Sequence, residues 1–423
     1  MTGTRGTLVV GAAQAGVQLA CSLRELGYQA PITLVGAEAH APYQRPPLSK
    51  GVLMGTTNPG ALELRGAGVF AERRITVLTG ERITEIHSDS AGAGTAVSAS
   101  GLRLAFDRLA LTTGARARTL PVPGSDLDGV LRLRDLDDAR RLGAAVDGAR
   151  RVVIVGGGFI GLEVAASLRG ADRAVDVVLA DDRLLARAVG RPTSDFFLRA
   201  HERRGVRVHL ATVPARLLGD GHGRVRAVEL SNGRTLPADL VVVGIGAAPR
   251  TELAEQLGLE VADGIVVDEH GRASDGVTVA AGDCVNCPCP VAGPARRRRF
   301  ESVSTAIEQA KVAAATIAGV PAPYRAVPWF WSDQFDLKLQ VAGLSDDADE
   351  TVVRGDPDGE RFSVLYYGDG RLVAADCVNR PADFVAVRAA LAAGRTAPPR
   401  LVADPERKLK DLLRDADVEW VAA

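Results

Sequence analysis

The stretch Val153-Ile154-Val155-Gly156-Gly157-Gly158-Phe159-Ile160-Gly161 decides the fold. An apolar run ends in Gly156-x-Gly158-x-x-Gly161, and a helical pattern begins at Leu162. In such a turn the first glycine permits the sharp bend, the second lets a pyrophosphate approach the backbone, and the third lets helix and strand pack closely. The helix start contributes free N–H groups and a positive dipole end. A single motif of this kind is weak evidence, but here it is duplicated. At an offset of 145 residues, Leu8-Val9-Val10-Gly11-Ala12-Ala13-Gln14-Ala15-Gly16 repeats the unit. Val10, Gly11, Gly16, Ala20, Ser22, Leu23 and Arg24 are identical to Val155, Gly156, Gly161, Ala165, Ser167, Leu168 and Arg169. Each turn is followed by a second apolar strand, at 32–35 and 175–179, so each unit opens βαβ.

A second repeat has an offset of 132: residues 107–115 match residues 239–247, both apolar strands ending in Gly-Ala, at Gly114 and Gly246. Arg118 and Arg250 follow at equal spacing. The segment 263–282 adds strand-like runs at 265–267 and 277–279, and 301–318 reads as a helix. From about Pro328 short alternating strands take over (362–367, 372–378), followed by a helix at 381–393 and a charged tail. The expected fold is α/β: two doubly wound Rossmann-like nucleotide-binding domains plus a C-terminal α+β domain. The expected boundaries are 1–115 and 246–325 for a first dinucleotide-binding domain in two parts, 116–245 for a second, and 326–423 for the C-terminal domain.

At about 150 residues per domain, 423 residues agree with two or three domains. The 51 basic and 52 acidic residues nearly cancel, which excludes a globally basic nucleic-acid binder. The five cysteines are too few and odd in number for a disulfide scaffold, so a reducing compartment is expected. Residues 8–23 are mostly apolar and follow Arg5, but Gln14 and Gln18 interrupt them, and they read as the first turn and helix rather than a targeting segment. No run reaches the ~18 apolar residues of a membrane helix, so a soluble cytoplasmic protein is expected.

Further stretches resemble a known family: Pro42-Tyr43-Gln44-Arg45-Pro46-Pro47-Leu48-Ser49-Lys50, Gly282-Asp283-Cys284, Glu301-Ser302-Val303, Pro328-Trp329-Phe330-Trp331-Ser332-Asp333-Gln334 and Val378-Asn379-Arg380-Pro381. The chain resembles the FAD-dependent NAD(P)H:ferredoxin reductases of bacterial oxygenase and cytochrome P450 systems, the putidaredoxin, rubredoxin and biphenyl dioxygenase reductase type. The likeness covers nearly the whole chain. It implies that FAD binds the first module, through Gly11, Ala13, Ala15 and Gly16, and the nicotinamide cofactor the second, through Gly156, Gly158, Phe159, Ile160 and Gly161. It places Lys50 beside the isoalloxazine, paired with Glu163, as the catalytic residues. Arg45, Arg134 and the backbone at Ile83 and Val303 would contact FAD, Asp283 the ribityl chain, and Trp331 the flavin edge. Gly114 and Gly246 are counted with the cofactor-binding set. The partner implied is an acidic 2Fe-2S or similar ferredoxin, with neither nucleic acid nor membrane.

Three positions depart from the family pattern. Ala13 replaces the middle glycine, Ala37 stands where relatives often carry an acid, and Leu179 stands where NADH users commonly carry Glu. The acid ~20 residues past the last glycine is then Glu38 in the first module and Asp181 in the second. NADH is favoured because no arginine pair stands at the strand end to hold a 2′-phosphate; NADPH is the alternative. A cation at Lys50 would favour negative charge on the reduced flavin. With only Cys21 in the first-helix and nicotinamide regions where related enzymes carry reactive thiols, electrons would leave the flavin directly. The cluster Cys284, Cys287 and Cys289 lacks a fourth metal ligand and reads as reduced loop thiols. The run Arg296-Arg297-Arg298-Arg299 is either a solvated loop or the dock for the ferredoxin. The alternatives in function are a flavoprotein reducing O2 or a small molecule such as a quinone, and a redox-switched flavoprotein like apoptosis-inducing factor.

Overall fold

Both glycine-turn segments fold as strand, turn and helix in a computed structural model that describes residues 5–169, 173–291 and 293–414. The end of the charged tail, 415–423, lies outside the described residues. The chain divides into two units. One comprises Met1–Gln44, Gly60–Arg116 and Ala248–Pro328; the other comprises Arg45–Pro59, Ala117–Ala247 and Trp329–Ala423.

In the first unit the parallel sheet runs Val279–Ala280, Arg108–Leu111, Thr7–Val10, Ile32–Val35, Ile75–Leu78. Its central strand is buried throughout, as expected of a parallel strand covered on both faces. The helices Gln14–Glu25 and Val303–Ile317 share one core. Leu19, Ala20 and Leu23 of the first join Ala306, Ala310, Ala313 and Ala314 of the second. Small residues on the second helix allow the close approach.

In the second unit the parallel sheet runs Val206–His209, Ala174–Val178, Arg151–Val155, Leu240–Val243, Val130–Arg132. The unit also contains an antiparallel sheet, Trp329–Gln334, Leu337–Gly343, Arg371–Val378, Arg361–Gly368 and Glu350–Asp356, with the helix Pro381–Ala392 on it. The helix Arg191–Arg203 meets this sheet through Phe196 on Phe362, ring centroids 4.8 Å apart. At the helix end Arg203 and Arg204 both donate to Glu360, which holds that carboxyl down at about 2.

The internal repeat has a physical basis in backbone pairing. The Asp107 carboxylate accepts the N–H groups of Arg5 and Gly6, and the Asp239 carboxylate accepts those of Arg150 and Arg151. Each aspartate thus fixes the start of the strand that leads into its glycine turn. Arg250 N–H donates to Gly114 O, and Arg118 N–H donates to Gly246 O, at 2.9 and 3.0 Å.

One local expectation is corrected. The strand expected at 277–279 is only Val279–Ala280, because the Asp275 side chain accepts the N–H groups of Val277 and Thr278 and holds them in a turn. The three-stranded antiparallel sheets before each closing strand, Ile83–Ser88 with Gly94–Ser98 and Arg103–Phe106, and Pro214–Gly219 with Val225–Leu230 and Thr235–Pro237, were not read from the sequence.

Candidate functional site

In the first unit Gly11 has φ +118°, and a Cβ there would lie 2.0 Å from Thr112 O. Only glycine fits this turn. Thr112 Oγ1 donates to Gly11 O at 2.8 Å and pins it. The helix that follows is capped by Ala13 with no side-chain hydrogen bond and no acid in its first turn. Its leading N–H groups are therefore open to an anion. Gly282 packs against Ala15, where an added Cβ would lie 3.1 Å from the Ala15 methyl, so Asp283 follows directly beside the turn. Gly114 closes the neighbouring strand with φ +67°. Val303 opens its helix behind a Ser302 cap, and Ile83 is the buried first residue of the strand Ile83–Ser88. Glu38 accepts the Tyr43 hydroxyl, which fixes its carboxylate just beyond the second strand.

In the second unit Gly156 repeats the conformation with φ +117°, its Cβ position 2.3 Å from Gly244 O. A Cβ at Gly158 would meet nothing within 4 Å. That space lies where a pyrophosphate approaches the turn. It also shows why Ala13, at the matching place in the first turn, fits without strain. No acid stands in the first turn of the helix Phe159–Arg169. Ile160 is 43% exposed at this helix start.

Leu179 is buried over Gly157, whose Cβ would sit 2.5 Å from Leu179 Cδ1. The first unit makes the reverse choice, with Ala12 set against Gly36. The two positions exchange bulk across the turn, which accounts for Leu179. Asp181 is exposed and its carbonyl accepts Ala211 N–H, while Asp182 pairs with Arg191 at 2.8 Å. Arg183 donates to the carbonyls of Val189 and Ala186 at 2.7 and 2.6 Å, so its guanidinium is committed to the fold. Gly246, with φ +95°, ends the next strand.

The same unit joins Lys50 to Glu163. Lys50 follows the short helix Pro46–Ser49, and its Nζ lies 2.6 Å from Glu163 Oε2. The carboxylate is 6% exposed and also accepts Ser49 Oγ and Ser332 Oγ, at 2.5 and 2.7 Å. Three donors thus replace water around a buried charge. The neighbouring Arg45 donates to Arg134 O at 2.7 Å, bringing those two residues together. Phe159 of the glycine turn stacks on Phe330, centroids 4.1 Å apart, and Trp331 stacks on Trp329 at 5.6 Å. Ser49, Ser332 and Gln334 lay inside the quoted family stretches, yet no role was read for them. The signal was their spacing beside Lys50 and Trp331, which becomes meaningful only once Glu163 is placed.

Two expectations change. All five cysteines are free and buried, and Cys287 and Cys289 lie in the strand Val285–Cys289 rather than in a loop. Burial pushes the Cys287 thiol up to about 11, which keeps it protonated. Likewise the arginine run is no loop: Gly293–Arg299 is a strand paired antiparallel to Val285–Cys289. Arg299 is bound to Asp263 and Glu301 with a side chain only 7% exposed, which removes it from any docking surface. Arg296 and Arg297 remain exposed, the latter also donating to the carbonyls of Val267 and Asn286.

Two glycine turns on parallel sheets, with Lys50 paired to a buried Glu163 in one unit, define a protein that binds two dinucleotides. Residues 6–310 match the pyridine nucleotide-disulphide oxidoreductase family, and residues 329–413 match the reductase C-terminal domain. The chain belongs to the pyridine nucleotide-disulphide oxidoreductase family. It is 42% identical to rhodocoxin reductase of Rhodococcus erythropolis over 403 residues, 95% of this chain and 93% of that protein. It is similar to the crystal structure of the ferredoxin reductase for the CYP199A2 system from Rhodopseudomonas palustris, with TM-score 0.93, 40% identity, and 97% and 100% of the two chains covered. It also matches the covalent putidaredoxin reductase–putidaredoxin complex, with TM-score 0.92, 36% identity, and 98% and 99% covered. The protein is an NAD(P)H-dependent, FAD-containing reductase. Among the described residues no helix is long and apolar enough to cross a membrane.

Proposed function

We propose that this reductase passes electrons from NAD(P)H through FAD to a small acidic iron–sulfur ferredoxin that supplies an oxygenase such as a cytochrome P450. The Lys50–Glu163 contact carries the reading, together with the likeness to ferredoxin reductases along nearly the whole chain. When bound, the flavin accepts a hydride from the nicotinamide and releases electrons one at a time. This chain's residues bind and orient. Residues 1–115 and 246–325 form the FAD-binding domain, with the Gly11 turn, Ala13, Ala15 and Gly16 on the pyrophosphate and Glu38 on the ribose. Ile83, Gly114, Asp283 and Val303 complete it, and Arg45, Arg134 and Trp331 are further FAD contacts that the family resemblance implies. Residues 116–245 form the nicotinamide domain, with Gly156, Gly158, Phe159, Ile160 and Gly161 at the turn, and Asp181 and Gly246 beside it. Residues 326–423 form the C-terminal domain. Lys50 is the cation at the isoalloxazine and Glu163 holds its ammonium. Steady-state reduction of cytochrome c by NADH, with and without candidate ferredoxins, tests the reading. Turnover that no ferredoxin accelerates would favour direct reduction of O2 or a small molecule.

Two expected results belong to the cofactor turns. Ala13→Gly should change FAD affinity by less than about fivefold, the scale of one methyl group; equilibrium dialysis of the apoprotein measures this. NADH should give a higher kcat/KM than NADPH. Arg183→Ala should leave that preference unchanged while lowering stability by roughly 1–3 kcal/mol, because it strips two carbonyls of their donors. A thermal melt and paired kinetics separate the outcomes. A clear NADPH preference would shift the assignment from Asp181 to Arg187.

A further inference from the structure

A buried polar chain leads away from Glu163 through Ser332, and its outer members have no part in the roles assigned so far. Ser332 Oγ lies 2.7 Å from Glu163 Oε1, Gln334 Nε2 lies 3.2 Å from Ser332 Oγ, and His201 Nε2 lies 2.8 Å from Gln334 Oε1. Ser332, Gln334 and His201 are at most 1% exposed. All three belong to the second unit, as do Lys50 and Glu163. His201 comes from the helix Arg191–Arg203, whereas Ser332 and Gln334 come from one strand of the C-terminal sheet.

Donor chemistry fixes the direction of every bond in this chain. A carboxylate only accepts, so the Ser332 hydroxyl hydrogen is spent on Glu163. Ser332 Oγ can then only accept from its other neighbour, which must be the Gln334 NH2 group. That turns Gln334 Oε1 towards His201, and His201 must carry its proton on Nε2. The other ring nitrogen agrees: His201 Nδ1 is buried and, among the described residues, has no hydrogen-bond partner. A bare acceptor there costs less than an unpaired N–H. Burial also pushes the His201 imidazole down to about 4, so the ring is neutral with a single N–H. Three donors in series therefore point at one carboxylate, and bonds aligned in this way polarise and strengthen one another. An amide in the middle bars proton conduction, since it carries no exchangeable lone pair and proton at one atom. The chain orients Glu163 and conducts nothing.

We propose that Ser332, Gln334 and His201 are positioning residues, a one-way series of donors that fixes Glu163 where it anchors the Lys50 ammonium. The inference rests on the reading that Lys50 faces the flavin. Merely structural residues could be replaced by an apolar side chain of equal size without consequence for the flavin, and the test exploits this difference. Ser332→Ala removes one oxygen, Ser332→Thr restores the hydroxyl, and Gln334→Leu keeps the volume while deleting the amide. For each variant, and for Ser332→Ala combined with Lys50→Met, the flavin midpoint potential, the rate of flavin reduction by saturating NADH, KM for NADH and the melting temperature are measured.

Ser332→Ala and Gln334→Leu should lower the midpoint potential and slow reduction roughly fivefold, part of the free energy of one hydrogen bond to a charged group. KM for NADH should hold. Ser332→Thr should recover the wild-type potential. In the Lys50→Met background Ser332→Ala should shift the potential no further, since coupled residues are not additive. If Lys50→Met moves potential and rate but Ser332→Ala moves neither, the chain is packing alone and this inference falls while the Lys50 reading stands. If Lys50→Met moves neither, the Lys50 reading falls and the inference with it. Should Gln334→Leu fail to fold, the Ala and Thr pair at 332 decides.

Discussion

Lys50→Met is expected to slow reduction of the flavin by NADH tenfold or more, the effect of ~1.4 kcal/mol on the barrier. The motive is geometric. Lys50 Nζ lies 2.6 Å from a carboxylate that is almost wholly buried, and the lysine side chain is itself 24% exposed. A flexible ammonium is seldom held so closely unless its position matters, because ordering a lysine costs ~2 kcal/mol of rotamer entropy. Methionine keeps the stem and removes the charge, so reduction would lose the cation proposed to act where negative charge develops. The midpoint potential should fall in parallel. FAD occupancy should survive, because the Gly11 turn proposed to hold the pyrophosphate is untouched. Glu163 is left with only two hydroxyl donors, so the melting temperature should drop as well, as for a buried charge that loses its partner. Glu163→Gln separates the effects: it frees the ammonium without removing it, and should slow reduction less than Lys50→Met. Stopped-flow absorbance with saturating NADH reads the rate. An unchanged rate with full occupancy would make Lys50 a surface lysine that happens to pair.

Local rules made the duplicated turns legible. Gly11 and Gly156 hold φ near +118° because a Cβ would strike the carbonyl of the adjacent strand, and a constraint of that kind writes itself directly into sequence. Asp107 and Asp239 were visible as a repeat, but their work in capping the first strand of each sheet was not. Leu179 read as an anomaly in cofactor binding. Its cause is bulk exchanged with Gly157, a pairing between residues that are distant in sequence. The donor chain behind Glu163 was hidden for the same reason, since His201 and Gln334 are 133 residues apart and meet only when the helix Arg191–Arg203 packs on the C-terminal sheet. Contacts set by packing of whole elements leave no periodic trace. The arginine run read as a solvated loop or a dock, and only its pairing as a strand shows that Arg299 is engaged by Asp263 and Glu301 while Arg296 and Arg297 stay exposed.

That division reshapes the expected docking surface and its test. Arg299 is engaged by Asp263 and Glu301 and contributes no charge to a partner. Arg296 and Arg297 are the exposed members, in a chain whose net charge is only −1, so they form a local positive feature rather than part of a general field. An acidic ferredoxin approaching this face would be steered by it, and exposed charges are screened over ~8 Å at physiological salt. Converting both to Glu reverses two rim charges and should raise the apparent KM for ferredoxin about tenfold at low ionic strength, with the wild-type advantage shrinking as salt rises. Reduction of ferricyanide by NADH needs the flavin and a small acceptor but no protein docking, and should change less than about twofold. Arg297 also anchors the hairpin through Val267 O and Asn286 O, so a melting curve accompanies the kinetics. A joint fall in both activities with a lower melting temperature would mean that the arginines support the fold. An unchanged KM for ferredoxin at low salt, with the fold intact, would place the partner on another face and leave Arg296 and Arg297 as a solvated strand end.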